Sequence, residues 1–302
     1  RSLTVFQDHL YAGTNINLKK LVLDKNGKMR ENFIQIEKEK LNTQIWETFI
    51  SNDKLLIGSN AGLGVIDNSE NYKLAINKKN IGIVFEIIES KIFTNYLLIR
   101  SKKGIFLLNK LNLNDYRIIY KGSGVGYLKE LTEREEIWFR VSKKGIFRFK
   151  VENKNINETK FDDEKFTIGK VKLFNINNNL IFYANKQYLE FDFSNDTFKK
   201  SNLFSQIVNI ENKEILDLKK TNNDNYWVTF TERINGKRVQ EFYEISSDGK
   251  ILKLPFENIS HHLDTEFFFF NKLTLMSSNE GIVIINDNDF SNNQTGSVII
   301  SK

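Results

Sequence analysis

Cationic residues recur at matching places in this sequence, and they are the residues best suited to bind a charged ligand. Short polar segments between apolar runs carry lysines at Lys102 and Lys103, at Lys143 and Lys144, and at Lys186. Arginines precede the two lysine pairs, at Arg100 and Arg140. Guanidinium and ammonium groups bind carboxylate and sulfate groups well. If these segments converge in the fold, they would form an arc of positive charge for an acidic ligand; the alternative is that they are solvated turns.

Aromatic residues offer a second kind of binding chemistry, because flat rings can line a site whose polar groups fix the ligand's orientation. Trp46 and Tyr183 are the candidates for contact with a ligand. Trp138 and Trp227 each begin an apolar run, and this position favours burial in a core. We therefore predict ligand-binding residues at Trp46 and Tyr183 and packing residues at the other two tryptophans.

Support for a metal centre or for catalysis is thin. Of the three histidines, His261 and His262 are adjacent and would point to opposite sides of an extended strand, so they are poor joint ligands. The segment Asp287–Asp289 lacks the glycine and the distal glutamate of a calcium loop. The sequence shows no nucleophile elbow or glycine-rich phosphate loop, and it has no cysteine. We predict no catalytic residue, no metal site and no cofactor.

The elements that must position these residues are hairpins that repeat through the chain. The clearest copy, Ile137–Lys150, has two runs of alternating apolar and polar residues around a turn that contains Gly145. Further copies, of which Leu10–Asp24 and Tyr226–Ser246 are looser, recur at intervals of about 40 to 45 residues, which is the length of a β-propeller blade. They are Leu10–Asp24, Leu55–Asp67, Leu97–Asn109, Leu180–Asp192, Tyr226–Ser246 and Leu273–Asp287.

Further strands flank the hairpins and complete each repeat. First strands are predicted at Leu3–Gln7, Ile45–Ser51, Ile83–Glu89, Val125–Leu131, Val171–Ile176, Ile215–Lys220 and Glu266–Phe270. Fourth strands are predicted at Phe33–Lys38, Tyr72–Ile76, Tyr116–Lys121, Asn157–Phe161, Thr197–Ser201 and Ile251–Phe256. The fold class is therefore all-β: a seven-bladed β-propeller of four-stranded antiparallel blades over residues 1–296. Residues 297–302 are either the last outer strand or the start of a following β-sandwich domain.

Composition limits the classes of function. The 302 residues carry a net charge of +6, with 44 basic and 38 acidic residues mixed along the chain, which argues against a nucleic-acid partner. No apolar run approaches the roughly 18 residues that cross a bilayer. The chain opens directly on a predicted strand, without a recognisable signal peptide, and we expect a processed protein or an excised domain.

The hairpins resemble the two-component regulator propeller repeat. In that repeat a strand with a pattern such as LWIGT is followed by a turn with glycine and by an apolar strand that ends in aspartate. The copies that carry the resemblance are Leu55–Ser59 with Gly62 and Asp67, Ile137–Val141 with Gly145–Phe149, and Leu97–Leu108. Arg100 and Arg140 stand where the pattern has its small glycine. The resemblance covers most of the chain, although Leu180–Asp192 and Tyr226–Ser246 lack the clean turn.

The resemblance implies a sensor. Such propellers form the periplasmic part of hybrid histidine kinases and related one-component regulators, commonly as two seven-bladed propellers followed by a β-sandwich, and many members respond to oligosaccharides. Residues 294–302 are similar to the lead-in to that sandwich. The implied location is a periplasmic or extracytoplasmic domain of a membrane-anchored protein.

We therefore predict a non-catalytic, ligand-sensing propeller of a two-component-type signalling protein. The expected ligand is an oligosaccharide, and an acidic one if the basic turns converge. An adjacent propeller or β-sandwich domain of the same protein is the expected partner, a homodimer is compatible with the sequence, and nucleic acid is not expected. A protein-interaction scaffold is the alternative function, and an enzyme resembling a polysaccharide lyase is the third.

Overall fold

The computed structural model describes residues 2–7, 9–23, 29–30, 42–69, 71–153, 155–221, 223–254, 266–270, 273–278 and 281–286. They form an all-β fold of antiparallel β-propeller blades. The chain comprises two compact units, Arg1–Asp163 and Glu164–Lys302, called unit 1 and unit 2 here.

The described residues of unit 1 form four blades, each a meander of four antiparallel strands in chain order. Blade 1 comprises β1 Ser2–Phe6, β2 His9–Gly13, β3 Leu18–Leu23 and β4 Met29–Arg30. Blade 2 comprises β5 Ile45–Ser51, β6 Lys54–Ser59, β7 Gly62–Ile66 and β8 Tyr72–Asn77. Blade 3 comprises β9 Val84–Glu89, β10 Tyr96–Ser101, β11 Gly104–Asn109 and β12 Tyr116–Lys121. Blade 4 comprises β13 Val125–Leu131, β14 Glu136–Val141, β15 Gly145–Glu152 and β16 Asn155–Phe161.

Unit 2 contains two four-stranded sheets and one three-stranded sheet among its described residues. Blade 5 comprises β17 Val171–Ile176, β18 Asn179–Ala184, β19 Gln187–Asp192 and β20 Thr197–Lys200. Blade 6 comprises β21 Glu214–Lys220, β22 Tyr226–Ile234, β23 Lys237–Ile245 and β24 Ile251–Lys253. The three-stranded sheet comprises β25 Glu266–Phe270, β26 Leu273–Ser278 and β27 Gly281–Asn286.

The predicted fold class is confirmed, but the blade count needs a correction. The described residues form six four-stranded blades, not seven, because the sheet β25–β27 has three strands there. Residues 297–302, which could supply its outer strand, lie outside the described residues. The fourth strand predicted at Phe33–Lys38 also lies outside them; among the described residues, the fourth strand that pairs with β3 is Met29–Arg30.

Helical structure is minimal in the described part of the chain, as expected. It consists of two single-turn α-helices, α1 Lys78–Ile81 and α2 Glu164–Thr167, and two 3-10 turns, Thr132–Arg134 and Ile210–Asn212. Within the described residues, no helix has the length and apolar character that a membrane crossing requires.

The alternation of side chains along each strand explains why every blade has two apolar faces. Leu55 and Ile57 of blade 2 pack against blade 1, in a buried cluster that includes Tyr11. The intervening Leu56 points to the opposite face and joins a buried cluster with Ile99 of blade 3. Successive strand residues point to opposite faces of a sheet, so one run of apolar residues serves two neighbours. The same pattern pairs blade 3 with blade 4, and blade 5 with blade 6.

The predicted packing role of two tryptophans is confirmed. Trp138 is fully buried, donates from Nε1 to Glu136 Oε2 at 2.8 Å, and stacks on Phe161 with ring centroids 5.6 Å apart. In unit 2, the buried Trp227 contacts Phe267 of β25 edge-on at 5.1 Å. Both residues therefore belong to the apolar interior of their units.

Candidate functional site

The turn between the second and third strands lies at one edge of each blade, together with the start of the first strand and the end of the fourth. In blade 3, Lys102 N donates to Ile83 O at 2.8 Å, and Gly122 N donates to Lys103 O at 3.0 Å. The equivalent bond in blade 4 runs from Ser142 N to Gly124 O, at 2.9 Å. We call this edge the turn edge. Backbone hydrogen bonds thus hold each lysine-bearing turn next to the start of the first strand of its own blade.

The predicted lysines of unit 1 lie on the turn edge and are exposed. Lys102 and Lys103 form the blade 3 turn, and Lys143 and Lys144 belong to the blade 4 turn. The ammonium group of Lys103 donates to the carbonyl oxygen of Lys79 in α1, so part of this charge stabilises the connection between blades 2 and 3. That these lysines bind a ligand stays a prediction.

Arg100 is bound within the fold of unit 1. Its Nε donates to Glu86 Oε2 at 2.6 Å, and its Nη1 donates to Val125 O at 3.3 Å. Its guanidinium also lies 5.4 Å from the ring centroid of Phe85. Because Val125 begins β13, Arg100 connects blade 3 to the first strand of blade 4.

Arg140 occupies the corresponding place in blade 4, in different surroundings. Its register partner on β13 is Gly126, whereas that of Arg100 on β9 is Glu86. Burial lowers the pKa of Arg140, and an electrostatic interaction with Tyr127 partly offsets that effect. The guanidinium of Arg140 is therefore partly withdrawn from water.

Trp46 lies on β5 at the same edge, half-buried. Its Nε1 donates to Asn60 Oδ1 in the blade 2 turn at 2.7 Å. Its ring meets that of Phe85 edge-on, with centroids 5.2 Å apart. Trp46, Phe85 and Arg100 thus form a continuous contact from the first strand of blade 2 to that of blade 3, consistent with the packing of β5 against β9.

Three successive first strands of unit 1 carry a β-bulge near their start, and each bulge contains an aromatic residue. The extra residue, which has no register partner on the adjacent strand, is Trp46 in blade 2 and Phe85 in blade 3. In blade 4 it shifts between Gly126 and Lys129, the interval that contains Tyr127. All three rings are half-buried. A bulge adds one residue and changes the direction of a side chain, and bulges are frequent beside functional sites.

Sequence reasoning missed Phe85, Glu86, Gly126 and Tyr127. The signal that could have found them is a break in the period-two alternation near the start of each first strand. A bulge produces such a break because the extra residue moves the following side chains to the other face.

The candidate residues of unit 2 have different surroundings. Tyr183 is buried, its ring lies 5.1 Å from that of Tyr188, and burial raises the pKa of its hydroxyl. Lys186 is exposed in the blade 5 turn, with a positive φ of 62°. Tyr183 therefore takes part in the packing of unit 2; ligand contacts by these two residues stay predictions.

The same unit contains a buried lysine that the sequence did not single out. Lys172 Nζ donates to Ile215 O at 2.6 Å and lies 3.0 Å from Glu214 Oε1. Burial lowers the pKa of Lys172, and Glu214 partly offsets that effect. Burial by itself would raise the pKa of Glu214, but its bonds to Lys172 and Lys170 outweigh this, so it is lowered. These contacts stabilise blade 5 against blade 6.

The described residues contain no group of three or more histidine or acidic side chains placed to hold a metal ion. His261, His262 and the segment 287–289 lie outside the described residues.

Comparisons with known proteins agree on the fold. No protein-family model and no curated protein matches the chain. The extracellular domain of the hybrid two-component system BT4673 from B. thetaiotaomicron is similar, with 14% identity and a TM-score of 0.61; the match covers 98% of this chain and 48% of that one. This chain therefore spans about half of that domain.

Two other solved structures are similar along nearly their whole length. Virginiamycin B lyase from Staphylococcus aureus has 15% identity and a TM-score of 0.56, over 92% of this chain and 90% of that one. YCF48 bound to D1 peptide has 11% identity and a TM-score of 0.62, over 94% and 91%. At these identities, the similarity shows a shared β-propeller fold.

Proposed function

We propose that this chain is an extracytoplasmic, ligand-sensing propeller of a two-component-type regulator and that it binds an oligosaccharide without converting it. The observation that carries the proposal is the turn edge of unit 1, where half-buried aromatic rings lie beside guanidinium groups. The similarity of nearly the whole chain to the extracellular domain of BT4673 supports the sensor role. Resemblance of the hairpins to the two-component regulator propeller repeat supports it further.

The residues of the turn edge suit a sugar that carries a negative charge. Trp46 and Phe85 present ring surface, and polar groups next to them can fix orientation, as in other small-molecule sites. Arg100 and Arg140 can each donate two parallel hydrogen bonds to a carboxylate or sulfate group, and at Arg100 the ligand must compete with Glu86. The exposed lysines of the turns add longer-range attraction.

Signalling would follow from a difference in affinity between two arrangements of rigid domains. A ligand shifts such an equilibrium only as far as it binds one arrangement better than the other. The partner would be an adjacent propeller or β-sandwich domain of the same protein, or a second copy of the chain.

The test is a glycan screen followed by calorimetry and product analysis. We expect acidic oligosaccharides to bind, to be recovered unchanged after incubation, and to bind less well to the fourfold variant Lys102/Lys103/Lys143/Lys144→Ala. The matched control is Lys73→Ala, which removes an exposed lysine near the start of β8, away from the turn edge. Absence of glycan binding would reject the proposal, and cleaved products would identify an enzyme instead.

A second candidate is a peptide-binding scaffold, favoured by the similarity to YCF48 bound to D1 peptide. Extended peptides in the same calorimetric assay separate the two functions. Saturable peptide binding in a preparation that binds no glycan would favour the scaffold.

A further inference from the structure

We propose that the ligand seat is the space in front of Gly126, bordered by Tyr127 and Arg140. It would take an acidic sugar, with the ring against Tyr127 and the carboxylate or sulfate toward the Arg140 guanidinium. The assignment rests on the proposed function and adds a location that the basic turns alone do not specify.

Neither the backbone conformation nor the packing of the described residues requires glycine at position 126. A Cβ added at Gly126 would have no heavy atom within 4 Å, whereas one at Gly58 would lie 2.9 Å from Val84 Cγ1. The φ angle of Gly126 also lies outside the left-handed region that favours glycine. Glycine inside a strand weakens it and often marks a place where a ligand approaches the backbone closely. The missing side chain therefore leaves open space beside β13.

Tyr127, the next residue, has an unfavourable backbone conformation. Its φ is 50°, in the left-handed region, where a bulky residue is strained. Among the described non-glycine residues with positive φ, Tyr127 is the only aromatic residue and the only residue inside a strand. Residues held in such conformations cluster at ligand sites. Two adjacent departures from local preference, at Gly126 and Tyr127, indicate a functional constraint on this bulge.

The charge at this place comes from Arg140. It lies directly across the strand pair from Gly126, so the open space and the guanidinium share one register position. An anion bound there would interact with a guanidinium that is already partly withdrawn from water, where attraction between charges is stronger than in bulk solvent. In blade 3 the corresponding position holds Glu86, which binds Arg100 at 2.6 Å. Glu86 fills this register position with a side chain, whereas Gly126 leaves it open, and this difference in space selects blade 4 as the seat.

Aromatic surface extends from the seat toward blade 2. Arg100 bridges the ring of Phe85 and the carbonyl of Val125, the residue before Gly126, and Phe85 in turn contacts Trp46. A longer oligosaccharide could therefore continue from Tyr127 along Phe85 to Trp46, which accounts for an aromatic residue at each of the three bulges.

The test uses variants of the whole chain and calorimetry with three probes: an oligogalacturonate, a sulfated chondroitin oligosaccharide and a neutral cello-oligosaccharide. Gly126→Leu should fill the space, and we expect acidic-probe affinity to fall by at least about tenfold, which is 1.4 kcal/mol. Tyr127→Gly should weaken binding as well while its thermal midpoint stays equal or rises, because the strain is relieved. The chondroitin probe carries both carboxylates and sulfates, so tighter binding of it than of the oligogalacturonate would show a contribution from sulfate.

The controls separate this seat from the wider function. Lys73→Ala, which changes an exposed lysine near the start of β8 and away from the turn edge, should bind as the parent does. Acidic-probe binding that is unchanged in both Gly126→Leu and Tyr127→Gly would overturn the seat and leave the proposed function standing. Binding of none of the probes by the parent would overturn both. If Gly126→Leu fails to fold, Tyr127→Gly alone decides.

Discussion

Glu241 in unit 2 shows how a single carboxylate can connect several strands. Its oxygens accept hydrogen bonds from Lys213 Nζ at 2.6 Å, Lys253 Nζ at 3.0 Å and the Tyr243 hydroxyl at 3.0 Å. Burial by itself would raise the pKa of Glu241, but these three donors outweigh it and lower the pKa below its usual 4.5. A carboxylate with a lowered folded-state pKa stabilises the fold when it is ionised.

We predict that Glu241→Gln lowers the free energy of unfolding by about 1–3 kcal/mol at neutral pH, since the buried Lys213 and Tyr243 lose a charged acceptor. The stabilisation is fully present above the unfolded-state pKa and is lost as pH falls through the lower folded-state value. The difference between parent and variant should therefore narrow below the ordinary pKa of 4.5. Urea unfolding followed across this pH range measures it.

The matched control for this prediction is Glu158→Gln, which changes an exposed glutamate on β16. It should alter the free energy of unfolding by less than about 0.5 kcal/mol. If the parent and Glu241→Gln differed in free energy of unfolding by the same amount at every pH, the ionic explanation would be contradicted.

At the scale of the element, glycine explains why the hairpin turn is repeated. Gly62, Gly104 and Gly145 each begin the third strand of a blade with a positive φ, between +112° and +141°. A Cβ at these places would lie 1.9–2.2 Å from a carbonyl oxygen at the end of the fourth strand. Only glycine permits this approach, so the repeat depends on it.

We predict that Gly104→Ala destabilises the protein by about 3 kcal/mol, through strain at the turn and loss of pairing between β11 and β12. Gly126→Ala is the matched control, because it makes the same chemical change without a clash, and its effect should stay below about 1 kcal/mol. Thermal unfolding of both variants, followed by circular dichroism, provides the comparison. Equal destabilisation would contradict the role of the carbonyl contact.

At the scale of the whole molecule, the net charge of +6 favours acidic partners at long range. We predict that affinity for acidic oligosaccharides falls as salt rises from about 0.1 M to about 1 M, because the screening length shrinks from about 10 Å to about 3 Å. Calorimetric titration at several salt concentrations tests this prediction. A salt-independent affinity would indicate that ring stacking, not charge, dominates binding.

Much of the fold could be predicted from alternation alone. Val125–Leu131, Val171–Ile176 and Tyr116–Lys121 are strands with the predicted bounds. The burial of Trp138 and Trp227 also followed from their positions in apolar runs. These features are local, because a strand and its turn follow from the order of apolar, polar and glycine residues over a short segment.

The candidate site could be predicted only in part. The lysines of the turn edge were found, because a polar turn between two apolar runs is exposed wherever the hairpin lies. The role of Arg100 as a bridge, the burial of Tyr183 and the aromatic row through Phe85 and Tyr127 were not found. Each depends on which neighbouring blade covers a given face, and that is set by packing between distant segments.

By itself, the sequence determined the repeated hairpins, the all-β class and the turns that carry the charge, because those follow from short-range pattern. Only the tertiary structure decided which rings and guanidinium groups lie together at the edge of unit 1. The physical reason is the β-bulge: one extra residue in a first strand redirects Trp46, Phe85 or Tyr127, and the groups that each ring then meets depend on how the strands pair and the blades pack.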